Sequence, residues 1–162
     1  MVRRASVHAL ANSDLRENAS DPGSLLNDPV RAVRIETAEV MAGVPVEAKL
    51  TGRSADWSRA TSEYIAAQEL VADRPEAHMN LSLLFVREGK PDRAETELKA
   101  ALSLDPSFAP AAVNLADLYR QRGRDLEGKA VLRSALRKSP NDPSLLHALG
   151  LLLVDRNIEI ES

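Results

Sequence analysis

The sequence predicts an all-α fold, an α-solenoid of antiparallel helix pairs, and two observations lead to this fold class. The first is composition: the chain has 162 residues, of which 44% are apolar and only 3% aromatic. Alanine and leucine predominate, and both lose little side-chain freedom in a helix. The second is an internal repeat, because a stretch that begins at Asn80 returns at Asn114, 34 residues later. A period of this length is typical of stacked helix pairs.

The repeat extends over two predicted helices and the turns between them. The matched pairs are Asn80 and Asn114, Leu81 and Leu115, Phe85 and Tyr119, Gly89 and Gly123, Leu98 and Leu132, Ala101 and Ala135, and Pro106 and Pro140. Pro91 suits the first turn of a second helix, and Pro106 and Pro140 fall where helices should end. A further step of 34 reaches Leu149 and Leu153, in the stretch "SLLHALGLLLVDRN".

This pattern resembles the tetratricopeptide repeat over about residues 74–157. The resemblance implies a right-handed superhelix, in which residues 74–162 hold two full units and the first helix of a third. Phe85 and Tyr119 are expected in the core, and Ser82, Ala116 and Gly150 are small where paired helices should approach closely. Gly128 departs from the family pattern, which prefers alanine there, but it leaves room for close contact between helices.

The N-terminal part carries a different, weaker repeat. "VRRASVHAL" at residues 2–10 is similar to "VRIETAEVM" at 33–41, and the second copy follows Asp28, a predicted N-cap, and Pro29, a predicted first helical residue. This arrangement resembles the inner helix of a HEAT repeat, so residues 1–46 are predicted to be HEAT-like. The alternative is two unrelated amphipathic helices. Residues 47–73 are predicted to connect the two parts, with one helix over 55–72 that leads into the tetratricopeptide stack.

Charge and composition exclude several classes of partner and site. The net charge is −3, so no basic surface favours nucleic acid, and the absence of cysteine excludes disulfides, thiolate zinc sites and CxxCH haem attachment. The N-terminus does not read as a signal peptide, and "SLLHALGLLLV" is too short to cross a bilayer. We therefore expect no membrane insertion and a cytoplasmic location by default, or a periplasmic one if the chain is part of a larger exported protein.

The sequence offers no catalytic or metal-binding constellation. The three histidines His8, His78 and His147 are dispersed, and none pairs with a carboxylate at the i, i+4 spacing of a helical metal site. Carboxylate pairs such as Glu95 and Glu97 are expected on solvated helix faces. We therefore predict no enzyme activity, no cofactor and no metal.

The resemblance instead implies a binding surface, because the first helices of tetratricopeptide units line a concave groove. It maps that groove onto Met79, Asn80, Leu83, Val86 and Arg87, then Val113, Asn114, Asp117, Arg120 and Gln121, then His147, Ala148, Leu151 and Asp155. Asn80 and Asn114 occupy one position in successive units, where some family members hydrogen-bond the backbone of an extended peptide. The alternative is that both are solvated residues of the consensus. Arg87 and Arg120 are candidates for pairing with acidic groups.

The last apolar stretch predicts a second surface. Because the residues after Asn157 are too few for a second helix, the leucines of this stretch are expected to be partly uncovered. Such a patch usually marks an interface. Either the chain is a fragment of a longer array, or two copies pair through the C-terminal helix; we predict the second, a homodimer. Its predicted residues are Leu145, Leu146, Leu149, Leu152 and Leu153.

Two functions remain open at this stage. The first is a protein–protein interaction scaffold that binds a peptide segment or a partner subunit in the groove. The alternative is the C-terminal helical arm of a larger enzyme, because joined HEAT-like and tetratricopeptide segments resemble the tails of some bacterial multihaem cytochrome-like proteins.

Overall fold

The computed structural model describes residues 22–42 and 52–158, with side chains for 23–42 and 52–154. Within these ranges the chain forms one short 3-10 helix and seven α-helices, and it has no strand. The 3-10 helix is Pro22–Asn27, and the α-helices are α1 Arg31–Ala42, α2 Ser54–Glu69, α3 Pro75–Arg87, α4 Pro91–Leu104, α5 Ala109–Gln121, α6 Asp125–Leu136 and α7 Pro143–Ile158. Within each of the two compact units described next, consecutive helices pack as in a helical-repeat solenoid. The predicted fold class is confirmed.

The chain divides into two compact units, residues 1–71 and 72–162. In the first unit, α1 packs on α2 and on the 3-10 helix. The start of α1 differs from the prediction, because the helix begins at Arg31 and Pro29 lies outside it. The Oδ1 of Asp28, the predicted N-cap, accepts a hydrogen bond from the Val30 amide at 2.8 Å, which closes a turn before the helix. The first HEAT-like copy, residues 2–10, lies outside the described residues.

Helix α2 belongs to this first unit and is shorter than predicted. It ends at Glu69, whereas the helix was predicted to continue to residue 72. Residues 70–73 form a non-helical turn instead. Its buried residues are Ala60, Thr61 and Tyr64. Arg34 of α1 reaches Glu63 of α2, with Nη2 at 2.6 Å from Oε1.

The second unit stacks α3 to α7. Each helix packs on the next, and the first helices of successive repeats also meet, α3 on α5 and α5 on α7. The turns inside the two full repeats have the same backbone geometry, since Gly89 and Gly123 take positive φ angles of 65° and 70°. After each glycine the chain closes back on the preceding helix, where the Lys90 amide donates to Phe85 O at 2.8 Å and the Arg124 amide to Tyr119 O at 2.8 Å. These glycines end the first helices because other residues adopt this backbone conformation at a cost.

The core of the second unit follows the predicted apolar faces. Phe85 and Tyr119 are buried, as expected, and so are Ser82 and Ala116. Gly128 allows α6 to approach α5 closely, since a Cβ atom there would lie 3.1 Å from the Ala116 carbonyl oxygen. Among the described residues, no helix is both long enough and apolar enough to cross a membrane.

Candidate functional site

The first helices of the second unit, α3, α5 and α7, present a common surface, which we call the first-helix wall. We define it by two register positions that recur every 34 residues. They are occupied by Leu83, Asp117 and Leu151 at one position, and by Val86, Arg120 and Val154 at the other. On α3 and α7 both positions are apolar and exposed, whereas on α5 both carry charge. The wall therefore has two apolar parts with a polar part between them.

The charged part of the wall is an ion pair within α5. Arg120 Nη2 lies 3.4 Å from Asp117 Oδ1, one helical turn away, and both side chains are nearly half exposed. Arg120 was predicted to hold an acidic group of a partner. In the structure it forms an ion pair with Asp117 of its own helix, and these two charges offset each other at the surface.

A small cavity opens in the wall between α3 and α5. Its volume is about 150 Å³. Its lining residues are Ser82, Leu83, Val86, Leu98, Asn114, Asp117, Leu118 and Gln121. Five of them (Leu83, Val86, Asn114, Asp117 and Gln121) are residues that the sequence placed in the groove, and the buried Leu98 and Leu118 add apolar contact area. A cavity of this size accommodates one apolar side chain.

The remaining groove residues are less uniform than the repeat suggested. Met79, Asn80, Arg87 and Val113 are partly buried, and His147 is exposed. Ala148, at the position of Asn80 and Asn114, is buried against Ala112 and Ala116 of α5 and Leu132 and Ala135 of α6. The side chain of Asp155 lies outside the described residues. The pair Asn80 and Asn114 thus has no equivalent on α7.

Helix α7 differs from the prediction in which leucines it exposes. Leu145 and Leu152 are buried in the cluster formed with α5 and α6, and Leu149 packs against that cluster. The expectation that Leu145 and Leu152 lie at an open surface was wrong, because this side of α7 packs against α5 and α6 of the preceding repeat. Leu146 and Leu153 remain exposed.

Leu146, Gly150 and Leu153 form one face of α7, which we call the uncovered face. In the two preceding repeats the same register positions pack on the second helix of the repeat. Leu153 is 46% exposed, whereas its counterparts Phe85 and Tyr119 are 1% and 3% exposed. Gly150 likewise has no atom within 4 Å of an added Cβ, whereas Ala116, its counterpart, is buried. Within the described residues this face is an apolar helix surface without a neighbour.

An ionic cluster around Glu95 joins the two full repeats, and the sequence did not predict it. Glu95 of α4 lies 2.6 Å from Arg124 Nη1 and 2.7 Å from Lys99 Nζ, and it accepts a hydrogen bond from the Tyr119 hydroxyl at 3.0 Å. Hydrogen bonds from Arg124, Lys99 and Tyr119 lower the pKa of Glu95 to about 2. Glu95 was expected on a solvated face, yet its side chain is only 12% exposed.

Glu97 is also engaged rather than solvated, since its Oε2 lies 2.7 Å from His78 Nδ1. The sequence held a weak signal for the Glu95 cluster, because Arg122 and Arg124 flank the turn glycine Gly123. Their position relative to Glu95 depends on how the second repeat packs on the first, which a linear pattern does not contain. The Glu95 cluster joins neighbouring repeats, and two of its members, Lys99 and Tyr119, also line the cavity described next.

A second cavity, of about 420 Å³, lies between the second helices α4 and α6. Its lining is Lys99, Leu102, Ser103, Pro106, Leu115, Tyr119, Val131, Ser134 and Ala135. In the part of the chain that the structure describes, no group of three or more histidine, aspartate or glutamate side chains could hold a metal ion.

Comparisons with known proteins bear on the repeats alone. A protein-family model described as tetratricopeptide repeat matches residues 85–152. The matched segment begins in α3, includes all of α4, α5 and α6, and ends in α7. A search of curated proteins finds no match. The resemblance inferred from the repeat interval is therefore confirmed.

Proposed function

We propose that this chain, which carries tetratricopeptide repeats, is a non-catalytic scaffold that binds an extended segment of a partner protein along its first-helix wall. Tetratricopeptide repeats generally mediate protein–protein interactions. The observation that supports the wall as the binding surface is the cavity between α3 and α5, because it brings Leu83, Asn114 and Asp117 together around a space for one side chain.

Two kinds of group at this cavity suit a peptide. Leu83 and Val86 offer exposed apolar area, and burying such area favours association. Asn114 offers a side-chain amide, which can both donate to and accept from a peptide backbone. A protein segment fits these groups better than a nucleic acid does, because the wall carries an ion pair in place of a field of cations.

The test is selection of binding peptides from a random linear library on the full chain, followed by calorimetry. We expect the selected peptides to lose at least tenfold in affinity with Leu83→Asp. Replacing Asn80 and Asn114 together by Ala should weaken binding by roughly 1–3 kcal/mol through two lost hydrogen bonds. Leu104→Asp is the matched control, since Leu104 is about equally exposed and lies at the end of α4, outside the wall. Peptides that bind all these variants equally would contradict the proposal.

We further propose that two copies pair through the uncovered face of α7. Leu146 and Leu153 are nearly symmetric about Gly150, so an antiparallel pair of α7 helices brings Leu146 of each copy onto Leu153 of the other. Gly150 then lies close to the two-fold axis and allows close approach. The face consists of two leucines and a glycine, so we expect a weaker dimer than a standard interface of roughly 800 Å² per partner provides.

Sedimentation equilibrium over a wide range of concentrations tests this pairing. We expect association of the wild-type chain that Leu153→Glu abolishes. Leu151→Glu is the control, because Leu151 is exposed on the same helix but belongs to the first-helix wall. A monomer at every concentration, or equal weakening by both substitutions, would exclude the uncovered face as the dimer interface.

A further inference from the structure

The first-helix wall has a pattern that constrains the sequence of its ligand. Its apolar residues are Leu83 and Val86 on α3 and Leu151 and Val154 on α7, and all four are exposed. Between them, α5 presents the Asp117–Arg120 pair. A segment that crosses the wall from α3 to α7 therefore meets an apolar, then a polar, then an apolar surface.

We propose that the ligand is an extended, uncharged segment with apolar side chains at positions i and i+4 and a neutral polar side chain at i+2. This inference rests on the proposed binding of a peptide along the wall. It goes further, because it assigns each of three side chains of the ligand to a place on the wall.

The spacing follows from the distance between the cavity and α7. The cavity lies between α3 and α5, so it is about one and a half helix spacings from α7. With packed helices roughly 8–10 Å apart, that distance is about 12–15 Å. Four residues of extended chain cover about 13 Å, and residues i, i+2 and i+4 point to the same side. A first apolar side chain in the cavity thus places a second one at Leu151 and Val154.

The central position follows from the ion pair. Asp117 and Arg120 lie 3.4 Å apart and offset each other, so the surface at i+2 has hydrogen-bonding groups of both kinds but little net charge. A serine, threonine or asparagine side chain can use both groups. An acidic side chain there would be repelled by Asp117 and a basic one by Arg120, so neither gains the full attraction of an unpaired opposite charge.

The experiment uses synthetic dodecapeptides with blocked termini, measured by fluorescence anisotropy on the full chain. The main peptide carries Leu at i and i+4 and Ser at i+2, in an otherwise Ser/Thr/Gly background. One comparison peptide moves the second Leu to i+3, and two others replace the central Ser by Asp or Lys. We expect the main peptide to bind at least tenfold more tightly than each of the three.

Variants of the chain test where each end of the peptide binds. We expect Leu83→Asp and Leu151→Asp each to weaken the main peptide at least tenfold, while Leu104→Asp leaves its affinity unchanged. Far-UV circular dichroism and urea midpoints identify any variant that fails to fold, and Val86→Asp and Val154→Asp then replace Leu83→Asp and Leu151→Asp.

The outcomes separate this inference from the proposed function. Equal affinity for the i+3 peptide, or tighter binding with Asp or Lys at the centre, overturns the spacing or the neutral centre. Library-selected peptides that depend on Leu83 but lack the i, i+4 pattern overturn the inference and leave the wall as a binding surface. Selected peptides that are insensitive to Leu83→Asp and Leu151→Asp overturn both.

Discussion

Helices α5 and α7 share one register but differ in how many of their faces are covered. On α5, Ala116 and Tyr119 pack within the stack, and the Tyr119 hydroxyl reaches Glu95. On α7 the same positions are Gly150 and Leu153, and both are exposed within the described residues. The residue types alone do not explain the difference, since leucine is as apolar as tyrosine. A side chain contributes to the stability of the stack only where a neighbouring helix covers it.

The largest expected effect is the contrast between two truncations, made at the same register position on α3 and on α7. Phe85→Ala on α3 should lower the free energy of unfolding by about 3–5 kcal/mol, because it empties a fully enclosed site. Leu153→Ala at the corresponding position on α7 should change it by less than about 0.5 kcal/mol, as for most exposed positions. Urea denaturation followed by far-UV circular dichroism measures both. Similar losses for the two variants would show that Leu153 is covered in solution.

The Glu95 cluster should make the stability of the contact between the two full repeats sensitive to acid. Because the folded-state pKa of Glu95 is lowered to about 2 from an ordinary value of 4.5, its stabilisation is complete above pH 4.5 and is lost as the pH falls towards 2. Glu95→Gln should therefore cost roughly 1–3 kcal/mol at pH 7 and progressively less below pH 4.5.

Urea midpoints between pH 2 and 7 test this dependence, with Glu88→Gln as the control. Glu88 pairs at 2.7 Å with the exposed Lys90, two residues away in the same turn. Its substitution should cost little at any pH. If the loss of stability caused by Glu95→Gln stays constant from pH 7 to pH 2, the carboxylate does not contribute to stability as an anion.

The smallest expected effect distinguishes two helical glycines. Gly150→Ala should raise stability by about 0.5–1 kcal/mol, because alanine favours the helix and nothing lies within 4 Å of the added methyl group. Gly128→Ala should not, since its methyl group would lie 3.1 Å from a carbonyl oxygen and 3.3 Å from Leu152 Cδ1. Thermal unfolding at dilute concentration, where the proposed α7 pairing is absent, measures both. A gain at Gly128 equal to that at Gly150 would mean that α5 and α6 are not in close contact there.

The sequence by itself determined the repeat and most of what repeats. The interval of 34 located the turn glycines Gly89 and Gly123, the helix-starting Pro91 and the buried aromatic residues Phe85 and Tyr119. It succeeded because helical periodicity, proline and positive-φ glycine act locally, within one or two turns of the chain. Local signals were weaker before Ala72, where α1 starts two residues after the predicted Pro29 and α2 ends before the predicted residue 72.

Only the tertiary structure decided which apolar and charged residues are covered. Leu145 and Leu146 are adjacent in sequence and equally apolar, yet Leu145 is buried against the preceding repeat and Leu146 is exposed. Glu95 resembles any surface glutamate until the second repeat brings Arg124 and Tyr119 to it. Periodicity states which face of a helix is apolar, but burial and the pairing of charges depend on neighbours far away in the chain, and their positions are set only when the repeats pack.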